Sequence, residues 1–433
     1  MKLQEIKFPY SIHHCAFPAA ILATCLVILA VVRLPCRTPP LLPPVAVMTS
    51  DDDSSTDASW AGAAVNSSCD IFSGEWVLDD PGAPPTYTPE TCPVIHGHYD
   101  CMRYGRPDLG FLRWRWRPAS GSCELPRFDA ARFLAAVRGR SMAFVGDSLA
   151  RNQMHSLVCL LTQAEQPTTS NATSGGDEVY RYERHGFTVA LLWSPFLVRA
   201  AEEADPDGPA RRGGGAAGLW TLYLDEADPA WAARAGEFDY VVVSAGSWFY
   251  RPSLFHERGG RLVGCSGCRM PNVTYLTLRY SLRKAFRTAL RAAAAAGSAG
   301  PRERTVVVRT FSPSHYENGT WSEGGGADCV RTRPLRRGEW EMNALEKEMY
   351  AIQKEEFAAA AARRREEEEG ERPVRMMLLD ATEALAQRPD AHPSRYRLWQ
   401  PDRFNNVSRD CLHWCLPGAM DACNDMLLHM LLR

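Results

Sequence analysis

The stretch SMAFVGDSLARNQ, from Ser141 to Gln153, decides how this chain is read. SMAFVG (Ser141 to Gly146) is an uncharged apolar run and reads as a buried strand. A turn follows, then a helix from Leu149 to Gln163. Further buried strands read at Phe187 to Trp193 (FTVALLW), Phe238 to Ser244 (FDYVVVS), Thr305 to Thr310 (TVVVRT) and Met376 to Leu379. Helices read at Phe128 to Val137 (after the break at Pro126), at Tyr275 to Ala296 and at Glu339 to Glu369. Apolar β runs alternating with helices predict an α/β fold on a mostly parallel sheet. Gly146-Asp147-Ser148 then falls where a strand ends and a helix begins. A serine there is exposed at the carboxyl edge of the sheet, where α/β proteins place their ligands. Its N–H lies at a helix N-terminus, which favours a developing negative charge. The competing reading is a plain serine N-cap, which the tripeptide alone favours.

Working outward, the 433 residues are 45% hydrophobic and 23% charged, which excludes a largely disordered or collagen-like chain. The length allows a sizeable core and two domains, or one large and one small. With 49 Lys and Arg against 51 Asp and Glu, the charge balance gives no reason to expect nucleic acid as a partner. Ala16 to Val32 is 17 residues without a charge, at the short end for a membrane span. It reads as an uncleaved signal anchor behind a cytosolic tail (1–15), with a cleaved signal peptide as the alternative. Residues 33–65, rich in Pro, Ser and Asp, read as a disordered stem. Residues 66–135 are dense in Cys, Pro, Gly and Trp and read as loops and short strands tied by disulfides. Residues 136–433 carry the α/β pattern. Three low-complexity stretches (Arg211 to Gly218, Ala292 to Gly300, Ala358 to Glu371) read as insertions, the last as a solvated helix end.

Eleven cysteines follow the anchor region, an odd number, so at least one thiol is left over. Cys265-Ser-Gly-Cys268 is a lone CxxC without a second half, so disulfides are a better reading than zinc. Glycosylation sequons begin at Asn66, Asn171, Asn272, Asn318 and Asn406, all on one side of the anchor. Together these predict a secretory-pathway lumen.

The second half of the site is Asp410-Cys-Leu-His413, the one DxxH in the chain. Asp and His three residues apart can share one face of a helical turn. The carboxylate then holds one imidazole nitrogen while the other faces a nucleophile, here Ser148. A buried structural His413 is the alternative.

GDSLARNQ with DCLHWCLPG resembles the plant trichome birefringence-like family of wall polysaccharide O-acetyltransferases, related to GDS-type esterases and lipases. CDIFSGEWV (Cys69 to Val77), CMRYGRPD (Cys101 to Asp108) and WRWRP (Trp114 to Pro118) carry the same resemblance. It implies a three-layer α/β/α catalytic domain with a small disulfide-bonded N-terminal region. It implies Ser148 as nucleophile, His413 as general base and Asp410 as orienting acid. Where the family usually reads N-T-G-H-W-W, this chain has Ser244 to Phe249, with Ser247 in place of the histidine. Gly246 remains, and its N–H joins that of Ser148 as an oxyanion-hole candidate. Arg151, Asn152 and His315 are further oxyanion or substrate-binding candidates, and Trp321 is a groove or core residue. The implied disulfides are Cys69–Cys123, Cys92–Cys159, Cys101–Cys411 and Cys329–Cys415, with Cys265–Cys268 as a local pair and Cys423 free.

The implied chemistry is acetyl transfer through an acetyl-serine to a sugar hydroxyl. RPSLFHERGGRLVGCSGC (Arg251 to Cys268) and CDIFSGEWV look most like the branch that acetylates xyloglucan, with xylan or another hemicellulose as the alternative acceptor. The resemblance places the chain in the Golgi membrane as a single-pass type II protein, in reach of acetyl-donor supply proteins. An acetyl donor, acetyl-CoA or another carrier, is required; no bound cofactor and no metal site is indicated. An acetyl esterase with the same triad and a non-catalytic wall-polymer binding protein are the readings from other classes.

Overall fold

The computed structural model describes residues 69–433, apart from 80–83, 122, 171–175, 204–209, 212–214, 217, 269, 296–302, 318–327, 368–373 and 398–408. The expected tail, anchor and stem lie outside the described residues, as do Asn66, Asn171, Asn318, Trp321 and Asn406. Among the described residues no helix is long and apolar enough to cross a membrane. Asn272 is described and exposed.

Seven strands form the main sheet: β3 (Ser141–Gly146), β4 (Thr168–Ser170), β5 (Glu178–Tyr182), β6 (Phe187–Trp193), β9 (Tyr240–Ser244), β12 (Arg304–Arg309) and β13 (Val374–Leu379). Their spatial order is β13-β12-β9-β3-β6-β5-β4. The first five run parallel, and β5 and β4 extend the edge antiparallel. The parallel strands are Val-rich because both of their faces are buried. Alternate residues feed two cores. Met142, Phe144, Val242 and Val307 meet α2 (Ser148–Leu161) and α5 (Asp421–Leu431) on one face. Ala143, Val145, Val241, Val243, Val306 and Val308 meet α3 (Leu278–Ala295) and α4 (Ala344–Glu367) on the other. This gives helices on both faces of one sheet, as the alternating pattern predicts. The short helix after Pro126, α1 (Ala130–Ala136), opens at Asp129, whose carboxylate caps Arg132 N.

A second sheet, order β11-β10-β8-β7, comes from β7 (Val198–Glu203), β8 (Leu219–Ala227), β10 (Ser253–Glu257) and β11 (Arg261–Ser266). None of these strands was legible as a continuous apolar run, because each mixes charged or polar residues with one apolar face. In the N-terminal region β1 (Gly74–Leu78) pairs antiparallel with β2 (Trp114–Pro118). This strand pair is not separate from the catalytic core. Trp76 and Trp116 belong to the same apolar cluster as α2 and α5, and Trp76 Nε1 donates to Ala384 O at 2.8 Å.

Cys69–Cys123, Cys92–Cys159 and Cys265–Cys268 are bonded, and Cys423 is free and buried. The other two expected pairs are exchanged. Cys101 bonds Cys415, and Cys329 bonds Cys411. Backbone pairing explains the exchange. Leu416 N donates to Tyr99 O at 2.9 Å, which brings Cys415 beside Cys101. Asp410 pairs with Ser394 in both directions, and Ser394 Oγ donates to Asp328 Oδ1 at 2.6 Å, which brings Cys411 beside Cys329.

On α5, Asp421 accepts from Tyr87 Oη at 2.7 Å and Ser156 Oγ at 2.5 Å. Burial pushes Asp421 up to about 6, and burial with the Asp421 charge pushes Asp425 up to about 8. A raised carboxyl means the folded state binds more protons than the unfolded one between the two values. Stability therefore falls as pH rises from about 4 to about 8. Urea denaturation at pH 5 and pH 8 should show that fall, and Asp425→Asn should remove most of it. A pH-independent midpoint would sink this account.

Candidate active site

The nucleophile turn is built by its neighbours. Gly146 ends β3 at a φ of 153°, and a Cβ there would run into Ser244 O on β9. Gly146→Ala should therefore destabilise the fold by more than about 2 kcal/mol, measured by chemical denaturation. Asp147, fully buried, caps α2 by accepting from Leu149 N at 2.9 Å. Its other oxygen accepts from Ser247 Oγ at 2.9 Å and Gly246 N at 3.3 Å. Ser247 thus anchors the turn. The Gly246 N–H is engaged by Asp147, which corrects its expected oxyanion role. The Ser148 N–H, at the first position of α2, has no intrahelical acceptor to face.

Ser148 Oγ donates to His413 Nε2 at 2.6 Å, and His413 Nδ1 donates to Asp410 Oδ2 at 2.8 Å. Asp410 Oδ1 accepts from Leu412 N at 3.1 Å and His413 N at 3.0 Å, so the carboxylate shapes the turn that carries the base. Burial pushes the Asp410 carboxyl up, but the His413 ring and then Arg397 outweigh it and hold it well below the usual carboxylate range. The three residues, 265 positions apart at their extremes, form a Ser-His-Asp line.

The loop behind His413 is clamped atom by atom. Asn152 Oδ1 accepts from Trp414 N at 2.8 Å, and its Nδ2 donates to Trp414 O at 3.2 Å. His392 Nδ1 donates to His413 O at 2.7 Å, and its ring stacks on Trp414 with centroids 4.1 Å apart. His315 Nε2 donates to Ala386 O at 2.8 Å, while its Nδ1 lies 2.7 Å from His392 Nε2. Asn152 and His315 are therefore supports of the catalytic loop, not the substrate contacts expected of them. Both have every polar side-chain atom engaged by protein.

Arg151, one turn beyond Ser148, has its Nη1 4.0 Å from Glu178 Oε1. Its guanidinium lies 4.9 Å from the centre of the Trp193 ring, and its buried Nε has no partner among the described residues. Trp193 follows from register, since it pairs with Gly146 across β3 and β6. Tyr99 donates its hydroxyl to Ser148 O at 2.9 Å, and burial keeps it protonated. His96, His98, Tyr99, His392 and Arg397 were missed in the sequence. The signals were HGHYD (His96 to Asp100) and AHPSRYR (Ala391 to Arg397), which lie outside both motifs. One grouping has metal-ligand spacing among the described residues, Asp328 with Cys329 and Cys411. Its two sulfurs are joined as a disulfide, which leaves a single carboxylate.

Comparison with known proteins agrees with this architecture. Residues 125–430 match the GDSL/SGNH-like acyl-esterase family found in Pmr5 and Cas1p, and residues 67–124 match the PMR5 N-terminal domain. Protein trichome birefringence-like 19 of Arabidopsis thaliana is 45% identical over 369 residues, covering 84% of this chain and 81% of its own. Xyloglucan O-acetyltransferase 4 of Populus trichocarpa is 39% identical over 366 residues, covering 84% and 81%. Xyloglucan O-acetyltransferase 1 of Arabidopsis thaliana is 39% identical over 372 residues, covering 84% and 80%. The chain is thus an enzyme of acyl-group chemistry, a trichome birefringence-like member of the GDSL/SGNH-like acyl-esterase family found in Pmr5 and Cas1p.

Proposed function

We propose that this enzyme moves acetyl groups onto hydroxyls of a plant wall polysaccharide, xyloglucan, by way of an acetyl-Ser148 intermediate. The observation that carries the reading is the assembled Ser148–His413–Asp410 line. His413 takes the Ser148 proton as Oγ attacks the acetyl carbonyl. The carbonyl π bond becomes an oxyanion, which faces the Ser148 N–H at the α2 N-terminus. Its collapse expels the donor, which leaves with the proton from His413. A sugar hydroxyl then repeats the sequence in reverse, with His413 as base again. The Arg151 guanidinium, beside Trp193, is the side chain best placed to meet the acyl donor or the oxyanion. Xyloglucan rather than xylan is the acceptor supported by the acetyltransferases to which the chain is similar. The same reading puts the catalytic part in the Golgi lumen on an anchor at 16–32, with sugars on its sequons and donor-supply proteins within reach. Acetyl-CoA or another acetyl carrier is the donor.

The test is mass spectrometry of residues 66–433 incubated with an acetyl donor and unacetylated xyloglucan or xylan oligosaccharides. A gain of one acetyl on xyloglucan, absent with Ser148→Ala, supports the proposal. A gain on xylan alone overturns the acceptor. Loss of acetyl from acetylated polymer with no gain on either overturns transfer in favour of hydrolysis, which uses the same three residues with water as acceptor.

A further inference from the structure

Asp410 has a partner outside the Ser148–His413 line. Arg397 donates from Nη1 to Asp410 Oδ2 at 2.7 Å, the oxygen that also accepts from His413 Nδ1. Its second arm, Nη2, donates to His98 Nδ1 at 2.6 Å. A guanidinium only donates, so His98 must offer a lone pair at Nδ1 and keep its proton on Nε2. Burial, and then the Arg397 charge, push His98 down to about 4, so it remains a neutral acceptor. His98 is itself held in place. Its ring stacks on His96 with centroids 4.8 Å apart, and its backbone N–H donates to His96 Nδ1 at 3.3 Å. The His96 N–H in turn donates to His155 Nδ1 at 3.3 Å, and His155 Nε2 donates to Glu178 at 2.6 Å.

We propose that His98 and Arg397 are positioning residues of the acyl-transfer site: His98, from the N-terminal disulfide-bonded region, aims Arg397 at Asp410, and Arg397 holds that carboxylate ionised and turned towards His413. The proposal rests on the reading of Ser148 as nucleophile. Asp410 is 2% exposed, and when His413 is neutral and ready to act as base, Arg397 is the charge that still faces the carboxylate. Arg397 is the one cation in hydrogen-bond contact with Asp410 among the described residues. The other titratable groups around it are neutral or more remote. Tyr316 lies on the segment after β12, and Tyr99 faces His413, with Arg151 and Glu178 behind it. His392 and His315 lie under the His413 carbonyl. Arg409 is paired with Asp328 at 3.0 Å. Two bonds in one plane set the direction of approach, which a single ammonium cannot do. The N-terminal region thus takes part in the catalytic geometry as well as in the shared core.

The test uses p-nitrophenyl acetate, a small ester that reads acylation of Ser148 without any polysaccharide. Arg397→Gln should lower kcat about tenfold with KM little changed, the scale on which groups that orient a reacting side chain act. With the cation gone the carboxylate protonates more easily, so the acid side of the rate profile should move to higher pH. Arg397→Lys should restore the charge and part of the rate. His98→Ala should lower kcat several-fold, and the double variant should be no worse than Arg397→Gln alone. Additive losses, an unmoved acid side or an unchanged kcat would overturn the proposal. So would a kcat that Arg397→Lys leaves as low as Arg397→Gln at a temperature where both variants are folded, since that pattern reports lost packing and not a lost charge. Ser148→Ala separates the two levels. Full turnover by that variant removes the nucleophile itself, whereas an inactive Ser148→Ala beside a wild-type Arg397→Gln removes the positioning role alone.

Discussion

Replacing Ser148 with alanine lowers acetyl transfer roughly 10⁴- to 10⁶-fold while leaving the fold intact. Among the described residues the hydroxyl has one hydrogen-bond partner, His413 Nε2 at 2.6 Å. Removing it deletes the bond-forming atom and leaves the rest of the site standing. Intact-protein mass spectrometry should then show no acetyl-enzyme, and circular dichroism no change. Asp410→Asn should cost about 10⁴-fold by a different route. The amide can still accept from Leu412 N and His413 N through its oxygen, so the turn survives. Its NH₂ then faces His413 Nδ1 as a donor. The ring must carry its proton on Nε2, where it can no longer take one from Ser148. Arg397 sharpens this loss, because a guanidinium facing an NH₂ has no acceptor. Retained turnover in either variant would remove the triad from the mechanism.

Replacing Cys329 and Cys411 together with serine costs about 4.5 kcal/mol of stability, the chain-entropy value for a loop of 82 residues. Catalysis should fall as well, because Cys411 adjoins Asp410 and its O accepts from His315 N at 2.9 Å. The Cys101–Cys415 bond ties the other end of the same loop to the N-terminal region. The two bridges thus hold Asp410 and His413 from opposite sides, and oxidation state becomes a condition of the geometry. Proteolysis under non-reducing conditions followed by mass spectrometry checks the pairing directly. Peptides joining Cys101 to Cys411 would overturn it. Urea denaturation of the double variant measures the stability term.

Much of the fold was legible because its signal is local. SMAFVG and FTVALLW run as strands over the residues expected, since both of their faces are buried and no charged residue interrupts either run. The β7–β8–β10–β11 sheet was not legible. VRAAEE and SLFHE put acidic residues in strand positions, and only pairing with neighbours stabilises them there. The triad was legible because glycine, aspartate and serine at a strand-to-helix turn, and DxxH on one turn, are each short-range patterns. Arg397 and His98 carry no such pattern. Arg397 meets Asp410 from 13 residues away, and His98 meets Arg397 from 299 residues away, along a chain path that the sequence does not state.

By itself the sequence determined the parallel core, the place of Ser148 at its edge and the Asp410–His413 spacing, because each depends on residues a few positions apart. The tertiary structure alone decided how Cys101, Cys329, Cys411 and Cys415 pair, what holds the loop, and which candidate side chains are engaged by protein. Cys411 and Cys415 lie four residues apart, and neither spacing nor burial tells one from the other. The long-range bonds Leu416 N to Tyr99 O and Asp410 to Ser394 do so. Asn152 and Gly246 sit beside the nucleophile in sequence or in space, yet their polar atoms are engaged by Trp414 and Asp147. A buried polar group takes whatever partner the packed chain brings to it, and that partner is set by chain path rather than by neighbouring residues.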